Sequence, residues 1–366
     1  MKKSGKGVCL FQLIPKKEFK TLCDRHKINK GTRSLTAQIQ VWALVQAYVL
    51  KLDSLREIEL VLKIPRSTLS DANINRKSSF FEELCRLVLW KIQEEMKGGR
   101  KIKRAIRTYL AIDSTEINVN GRLSKLFKWK QKHSRTNKAS AKLHAVWNVD
   151  EEWIDDFIIT AGRVHDAQAA KMFKFKPKCT YIFDRAYNEF LFWWKIVEAK
   201  AHFVSRLKKC SYSKWRRKLI LKENEDKVGV IWDDEWKPSY PVLRKLPFVA
   251  KDFKLRRIIY KDPETKKVFD FITSDFEISG QEVADIYKRR WAVELLFRWL
   301  KGHLGIRAID ARDTNAAEVQ LAMAVLVQLL VRLYRQITKF RGTLWECLRL
   351  LRAEVVRAGP LPRFIL

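Results

Sequence analysis

Tyr287-Lys288-Arg289-Arg290-Trp291-Ala292-Val293-Glu294-Leu295-Leu296-Phe297-Arg298-Trp299-Leu300-Lys301 is the stretch on which the reading of this chain turns. It lies within a predicted helix from Gln281 to His303, which Ser279 is placed to cap. Tyr287, Arg290, Glu294 and Lys301 follow one another at spacings of 3, 4 and 7. At about 3.6 residues per turn, those spacings put all four on one helical face. A solvated face with an Arg290–Glu294 ion pair is one reading of that stripe. Against it, Trp291, Leu295, Leu296, Trp299 and Leu300 fill the positions between. A helix this apolar is sandwiched, and its charged stripe then points into a cleft.

Two further acids stand at the ends of apolar runs. Leu110-Ala111-Ile112-Asp113-Ser114-Thr115 and Tyr181-Ile182-Phe183-Asp184-Arg185 each read as a strand delivering a carboxylate. In open sheets, functional side chains gather where strands end. An isolated carboxylate on a buried strand is costly unless a cation or hydrogen bonds satisfy it. Either Asp is also a good helix cap, and that reading stays open for Asp184, which precedes a helix.

The charge balance names the class of partner. The 366 residues include 74 Lys and Arg against 41 Asp and Glu, a formal charge of +33. An excess of this size, spread along the chain, points to an extended polyanion, meaning nucleic acid. A membrane is disfavoured. No signal-peptide pattern opens the chain, and the apolar segment Val319–Val331 is too short to span. That segment reads as a buried core helix or an interface helix. The six cysteines (Cys9, Cys23, Cys85, Cys179, Cys210 and Cys347) form no Cys-x2-Cys pair. This argues against zinc fingers and disulfides and for a reducing cytoplasm.

Texture divides the chain. Residues up to about 97 are helical. They include Leu35–Leu50, a helix opened by Ser54 and Glu57, and a break at Lys63–Thr68 with a cap at Ser67 or Thr68. A longer helix follows from Ser78 to Met96. Helices parted by a basic turn fit either a helix-turn-helix with Arg66, Ser67, Thr68 and Ser70 facing DNA, or an ordinary bundle. Strands are expected at Thr108–Ile117, Leu143–Val149, Trp153–Ala161, Thr180–Phe183 and His202–Leu207, with helices at His165–Phe173 and Asn188–Ala199. From Lys208 to about Asp275 the pattern is β-like and basic, with strands at Val242–Leu246, Leu255–Tyr260 and Val268–Thr273, and reads as an inserted sheet. Residues Asn315–Arg357 are helical again.

The spacing Y-x2-R-x3-E-x6-K, downstream of two strand-end Asp motifs, resembles the signature of a large group of bacterial insertion-sequence DDE transposases, the YREK group. Gly162-Arg163-Val164-His165-Asp166, Phe183-Asp184-Arg185-Ala186-Tyr187, and Asn315-Ala316 with Gln320 resemble further segments of that family. Ser274-Asp275 departs from it, where Thr-Asn is usual. The resemblance implies an α/β fold with a ribonuclease H-like catalytic core split by a β-rich insertion. The divisions are then a helical DNA-binding region at 1–97, the first part of the core at 98–207, the insertion at 208–276, the last core helix at 277–310 and a helical C-terminal segment at 311–366. It implies that Asp113, Asp184 and Glu294 are catalytic and hold two Mg2+ ions, with Mn2+ able to substitute. It also implies that Tyr287, Arg290 and Lys301 contact DNA. The implied activity is binding of terminal inverted repeats in double-stranded DNA, cleavage, and joining of 3′-hydroxyl ends to target DNA by a homodimer in a bacterial cytoplasm. A metal-dependent nuclease without strand transfer, or a DNA-binding protein without activity, are the alternatives.

Three carboxylates suit a hard divalent cation that takes oxygen ligands. His144 and His165 are dispersed and read as structural hydrogen-bonders. Trp215, Trp232 and Trp236 are either core residues or platforms for an unpaired base, with core packing favoured for any single one.

Overall fold

The computed structural model describes residues 10–32, 34–99, 107–119, 139–208, 215–218, 229–236 and 254–358. The expected strand Val242–Leu246 lies outside the described residues, as does most of the basic linker after Gly99.

One sheet organises the chain. Its strands are β1 (Thr108–Val119), β2 (Ala139–Asn148), β3 (Trp153–Ala161), β4 (Cys179–Phe183), β5 (His202–Arg206), β6 (Trp215–Lys218), β7 (Val230–Trp236), β8 (Leu255–Lys261), β9 (Val268–Thr273) and the short β10 (Ala308–Ile309). The order is β3-β2-β1-β4-β5-β9-β8-β7-β6, with β10 beside the far end of β1. β1 to β3 form an antiparallel meander, while β4 and β5 join β1 in parallel. The basic β-rich segment was expected to form a sheet of its own. Instead β9 pairs antiparallel with β5, so β6 to β9 prolong the same sheet. Parallel strands need crossovers, and these are α6 (Asp166–Ala170) and α7 (Phe190–Glu198).

Strand alternation separates two cores. Leu110 and Ile112 face one side with Phe183 and Phe203, under Phe192, Trp193 and Ile196 of α7. Ala111, Ile117 and Val119 face the other, with Leu143 and Ala145 of β2. That second face is covered by α8 (Gly280–Lys288), α9 (Trp291–His303) and α10 (Thr314–Ile337). Gly162, at the end of β3, is required by close packing. A Cβ there would collide with the Ser140 hydroxyl.

Before the sheet come α1 (Lys16–His26), α2 (Ala37–Leu50), α3 (Leu55–Leu62), α4 (Arg66–Asn75) and α5 (Ser78–Gly99). α11 (Leu344–Ala358) ends the described chain. Their apolar faces and α10 share one core with the second face of the sheet. α10 is therefore the hub of the helical body. Among the described residues it is the one helix long and apolar enough to cross a membrane, yet 83% of its apolar window is buried. Asp313 caps it, accepting from Ala316 N at 2.7 Å. Asn315 ties the hub to the earlier helices. Its Nδ2 donates to the carbonyls of Asn73, Ile74 and Arg76, and its Oδ1 accepts from Ser78 N at 2.9 Å.

Two local expectations need correction. α4 begins at Arg66 after Pro65, so neither Ser67 nor Thr68 caps it. Ser70 is buried and cannot face a ligand, whereas Arg66, Ser67 and Thr68 retain exposure.

Candidate functional site

The site lies on β1. β4 pairs with β1 only through Ala111↔Ile182, and β10 pairs only at Asn118 and Val119. Between these two stretches one edge of β1 has no pairing strand among the described residues, and Asp113 lies there. Asp113 was expected at a strand end. It sits mid-strand, opposite Ala145 of β2, and what ends there is the neighbour β4. Continuing the parallel register brings Asp184, the residue after β4, level with Asp113.

Asp184 acts locally as a cap. Its side chain accepts from Ala186 N at 2.7 Å and opens a single 3-10 turn, Arg185–Tyr187. Glu294 comes from α9, which crosses this face of the sheet with Val293, Leu296, Phe297 and Leu300 buried beneath it. The expected continuous helix from Gln281 to His303 is broken at Arg289 and Arg290. There i→i+3 hydrogen bonds, such as Arg290 N to Tyr287 O at 3.0 Å, replace the α-helical ladder. α8 keeps its capping box between Ser279 and Glu282.

Arg290 links the acids. Its Nη2 donates to Glu294, and its Nη1 lies 3.5 Å from Asp113 Oδ2. Its guanidinium also sits 5.8 Å from the Tyr287 ring centre. Burial opposes the Arg290 charge, yet Glu294, Tyr287 and Asp113 outweigh it and raise its pKa. The Asp113 carboxyl is pushed up to about 6, first by burial and then by the charges of Asp184 and Glu294. The Ser114 amide and Arg290 oppose that rise. Burial together with like charges nearby raises a carboxyl in this way even with a guanidinium beside it.

Tyr287 is half-buried against Phe271, with ring centres 5.2 Å apart, and burial raises its phenol. The fourth residue of the stripe stands apart. Lys301 lies two turns beyond Glu294, where burial lowers its pKa and Glu116 opposes the fall. It lines a cavity of about 620 Å³ with Asn118, Leu304 and Arg307.

A polar cluster that the spacing did not reveal backs β1. Asp166 accepts from the Ser114 hydroxyl at 2.7 Å and from Lys142 Nζ at 3.0 Å, with His144 Nδ1 3.8 Å away. The fully buried Tyr187 feels Asp113, Asp166 and Asp184 together. Asp166 and Tyr187 both stand in the quoted family segments, which is the only signal that pointed to them.

The expected tryptophans divide. Trp236 is buried, its ring stacked 5.5 Å from Phe190, so it belongs to the core. Trp232 is 40% exposed and donates its Nε1 to Asp234. The side chain of Trp215 lies outside what is described.

Carboxylate oxygens are suitable donors for a hard divalent cation, and the Arg290 guanidinium marks a place that a cation fills. Among the described residues, however, no three metal-ligating side chains are drawn together as a ready-made metal cluster. With Arg290 between them, Asp113 and Glu294 are held by the guanidinium.

Comparison with known proteins places this arrangement. Residues 105–330 match the model of the transposase DDE domain, and residues 9–72 match a domain of unknown function (DUF4372). The chain is 32% identical to the protein y4zB of Sinorhizobium fredii, named for a transposase, over 74% of this chain and 72% of that one. It is 24% identical to a Geobacillus stearothermophilus protein named for the transposase of insertion sequence element IS5377, over 75% and 70%. The fold is similar to that of piggyBac transposase, solved as a synaptic complex with hairpin DNA. The TM-score is 0.52 at 13% identity, covering 97% of this chain and 83% of that one. The chain belongs to the DDE transposase family, enzymes that act on DNA.

Proposed function

We propose that the enzyme binds the terminal inverted repeats of its own insertion sequence, cleaves DNA there, and joins the resulting 3′-hydroxyl ends to target DNA. The observation that carries the reading is the geometry beside β1, where Arg290 bridges Asp113 and Glu294 and the parallel register of β4 brings Asp184 level with Asp113. In this reading β1 to β5 with α9 are a ribonuclease H-like core, split between Asp184 and Glu294 by the β-rich segment. The chain is then a member of the YREK group.

Asp113, Asp184 and Glu294 would hold two Mg2+ ions, or Mn2+ in their place. Such a pair supplies activation of the attacking hydroxyl and charge stabilisation at the phosphate. The residues of this chain do the rest. Burial makes the Asp113 charge costly beyond what the Ser114 amide and Arg290 offset, so its carboxylate is poised for a cation. Arg290, freed from the carboxylates, has a fork of donors for the phosphate flanking the cut, and its Nε is buried with no hydrogen-bond partner among the described residues. Tyr287, packed against Phe271, orients that guanidinium, and Lys301 holds the backbone two turns along. A homodimer in the cell's cytoplasm, bridging two ends, completes the scheme.

The test is joining. The purified chain is mixed with duplex carrying the terminal repeats and a supercoiled plasmid, with Mg2+ or Mn2+. Covalent end–plasmid product is expected with either ion and none with chelator. Cleavage without joined product would replace this reading with that of a nuclease.

A further inference from the structure

The helical region before the sheet contains a groove separate from the acidic site, lined in part by the segment matched to the domain of unknown function and in part by residues 75–79 just beyond it. It lies between α4 and the connection from α1 to α2, and encloses about 710 Å³. Arg25, Lys27, Lys30, Arg76 and Lys77 line it, against the single acid Asp71. Arg25 is paired with Glu83. The other four cations have no carboxylate partner among the described residues.

Arg76 forms part of the groove wall. It is 8% exposed and held by neutral acceptors only: Gln40 Oε1 at 2.7 Å, Thr32 Oγ1 at 3.4 Å, and the carbonyls of Ile28 and Leu35. Burying a guanidinium without a carboxylate is costly, and burial lowers its pKa. A charge fixed in this way in a low-dielectric wall projects positive potential into the groove. α4, which Arg76 ends, adds the face carrying Thr68, Asp71, Ala72 and Asn75, small side chains at helical spacing. Thr32, Ser34 and Ser79 add hydroxyls. Lysine and arginine with Ser, Thr and Asn are the residue types that grip phosphate and sugar of a duplex.

We propose that this groove seats the phosphate backbone of duplex DNA, with Lys27, Lys30 and Lys77 as phosphate contacts and Arg76 as the buried charge behind them. The assignment rests on the reading of the chain as a DNA enzyme, and puts on named residues the DNA contact expected of the helical region at 1–97. It also moves the contact surface of α4 away from Ser70, which is buried, to the face that begins at Thr68.

The experiment uses the full chain and a 40-base-pair duplex in fluorescence anisotropy across a salt series. The triple variant Lys27→Gln/Lys30→Gln/Lys77→Gln is compared with Lys174→Gln/Lys178→Gln/Lys200→Gln. That second set is three exposed lysines, two of them left-handed like Lys27. Each lost phosphate contact flattens the log–log salt dependence by about 0.9, so the groove variant is expected to lose about 3 from the slope, and at least tenfold in affinity at 0.1 M salt. The control set keeps both. On the unaltered chain, duplex DNA is expected to protect Lys27, Lys30 and Lys77 from acylation, read by mass spectrometry. A groove variant that binds like the control set, or unprotected groove lysines, overturns the proposal and leaves the catalytic reading standing. An unaltered chain that binds no duplex at all overturns both.

Discussion

Replacing His144 by glutamine tests how the sheet behind the acidic residues is held together. The imidazole is fully buried on β2, with Nε2 2.9 Å from the Thr160 hydroxyl and Nδ1 3.8 Å from Asp166. Burial pushes it down to about 4 from 6.5, an effect that Asp166 opposes and Lys142 assists. Between those two values the unfolded chain takes up a proton that the folded chain refuses. Its contribution is therefore intact above pH 6.5 and is lost as the pH falls toward 4. At about 1.4 kcal/mol per pH unit, the loss is about 2 kcal/mol at pH 5 and about 3 kcal/mol at pH 4. Glutamine keeps an amide for Thr160 but does not titrate. Urea denaturation of both proteins at pH 7.5, 5 and 4 isolates the term, because every other titrating group is shared. The stability difference is expected to move in favour of His144→Gln by those amounts as the pH falls. A difference that stays constant across the three values would show that His144 is not held neutral by its surroundings.

Two further outcomes follow from packing and backbone geometry. Lys63 ends α3 in the left-handed region at φ 58°, where glycine bears no Cβ penalty, so Lys63→Gly is expected to raise stability by about 1 kcal/mol, read as a higher urea midpoint. Trp236→Ala empties a site against Phe190 and Trp193 and is expected to cost about 3–5 kcal/mol in the same assay, while Trp236→Phe costs less, because the indole Nε1 has no hydrogen-bond partner among the described residues.

What the sequence revealed was periodicity, and what it concealed was neighbours. β3 was legible to the residue because alternation and Gly162 both mark its limits. The buried character of Val319–Val331 was legible too, since Gln320 and Gln328 interrupt an otherwise apolar run. Gln328 turns out to bond β3, accepting from Ile154 N and donating to the Glu152 carbonyl. Asp113 was found for an incomplete reason. The acid is mid-strand, and the gap beside it depends on how far β4 and β10 extend, a register that no local pattern encodes. The break at Arg289–Arg290 was hidden because neither residue is a helix breaker; it is stabilised by tertiary contacts, among them the pairing of Arg290 with Asp113, 177 positions away, and of Arg289 with Asp150. Likewise, strands β6 to β9 look like a separate unit in composition, and only the β5–β9 pairing joins them to the main sheet. Asp166 carried no periodic signal, since its three partners come from β1 and β2.

The central claim is that Asp113, Asp184 and Glu294 act as one centre. It is tested by making Asp113→Asn, Asp184→Asn and Glu294→Gln singly, and measuring Mg2+-dependent cleavage of duplex carrying the terminal repeats beside affinity for that duplex in chelator. Each variant is expected to bind DNA at least as well as the unaltered chain and to cut it at least about a thousandfold more slowly, since each removes part of the transition-state charge stabilisation. Any one of the three cutting at the unaltered rate would remove that residue from the centre and contradict the account.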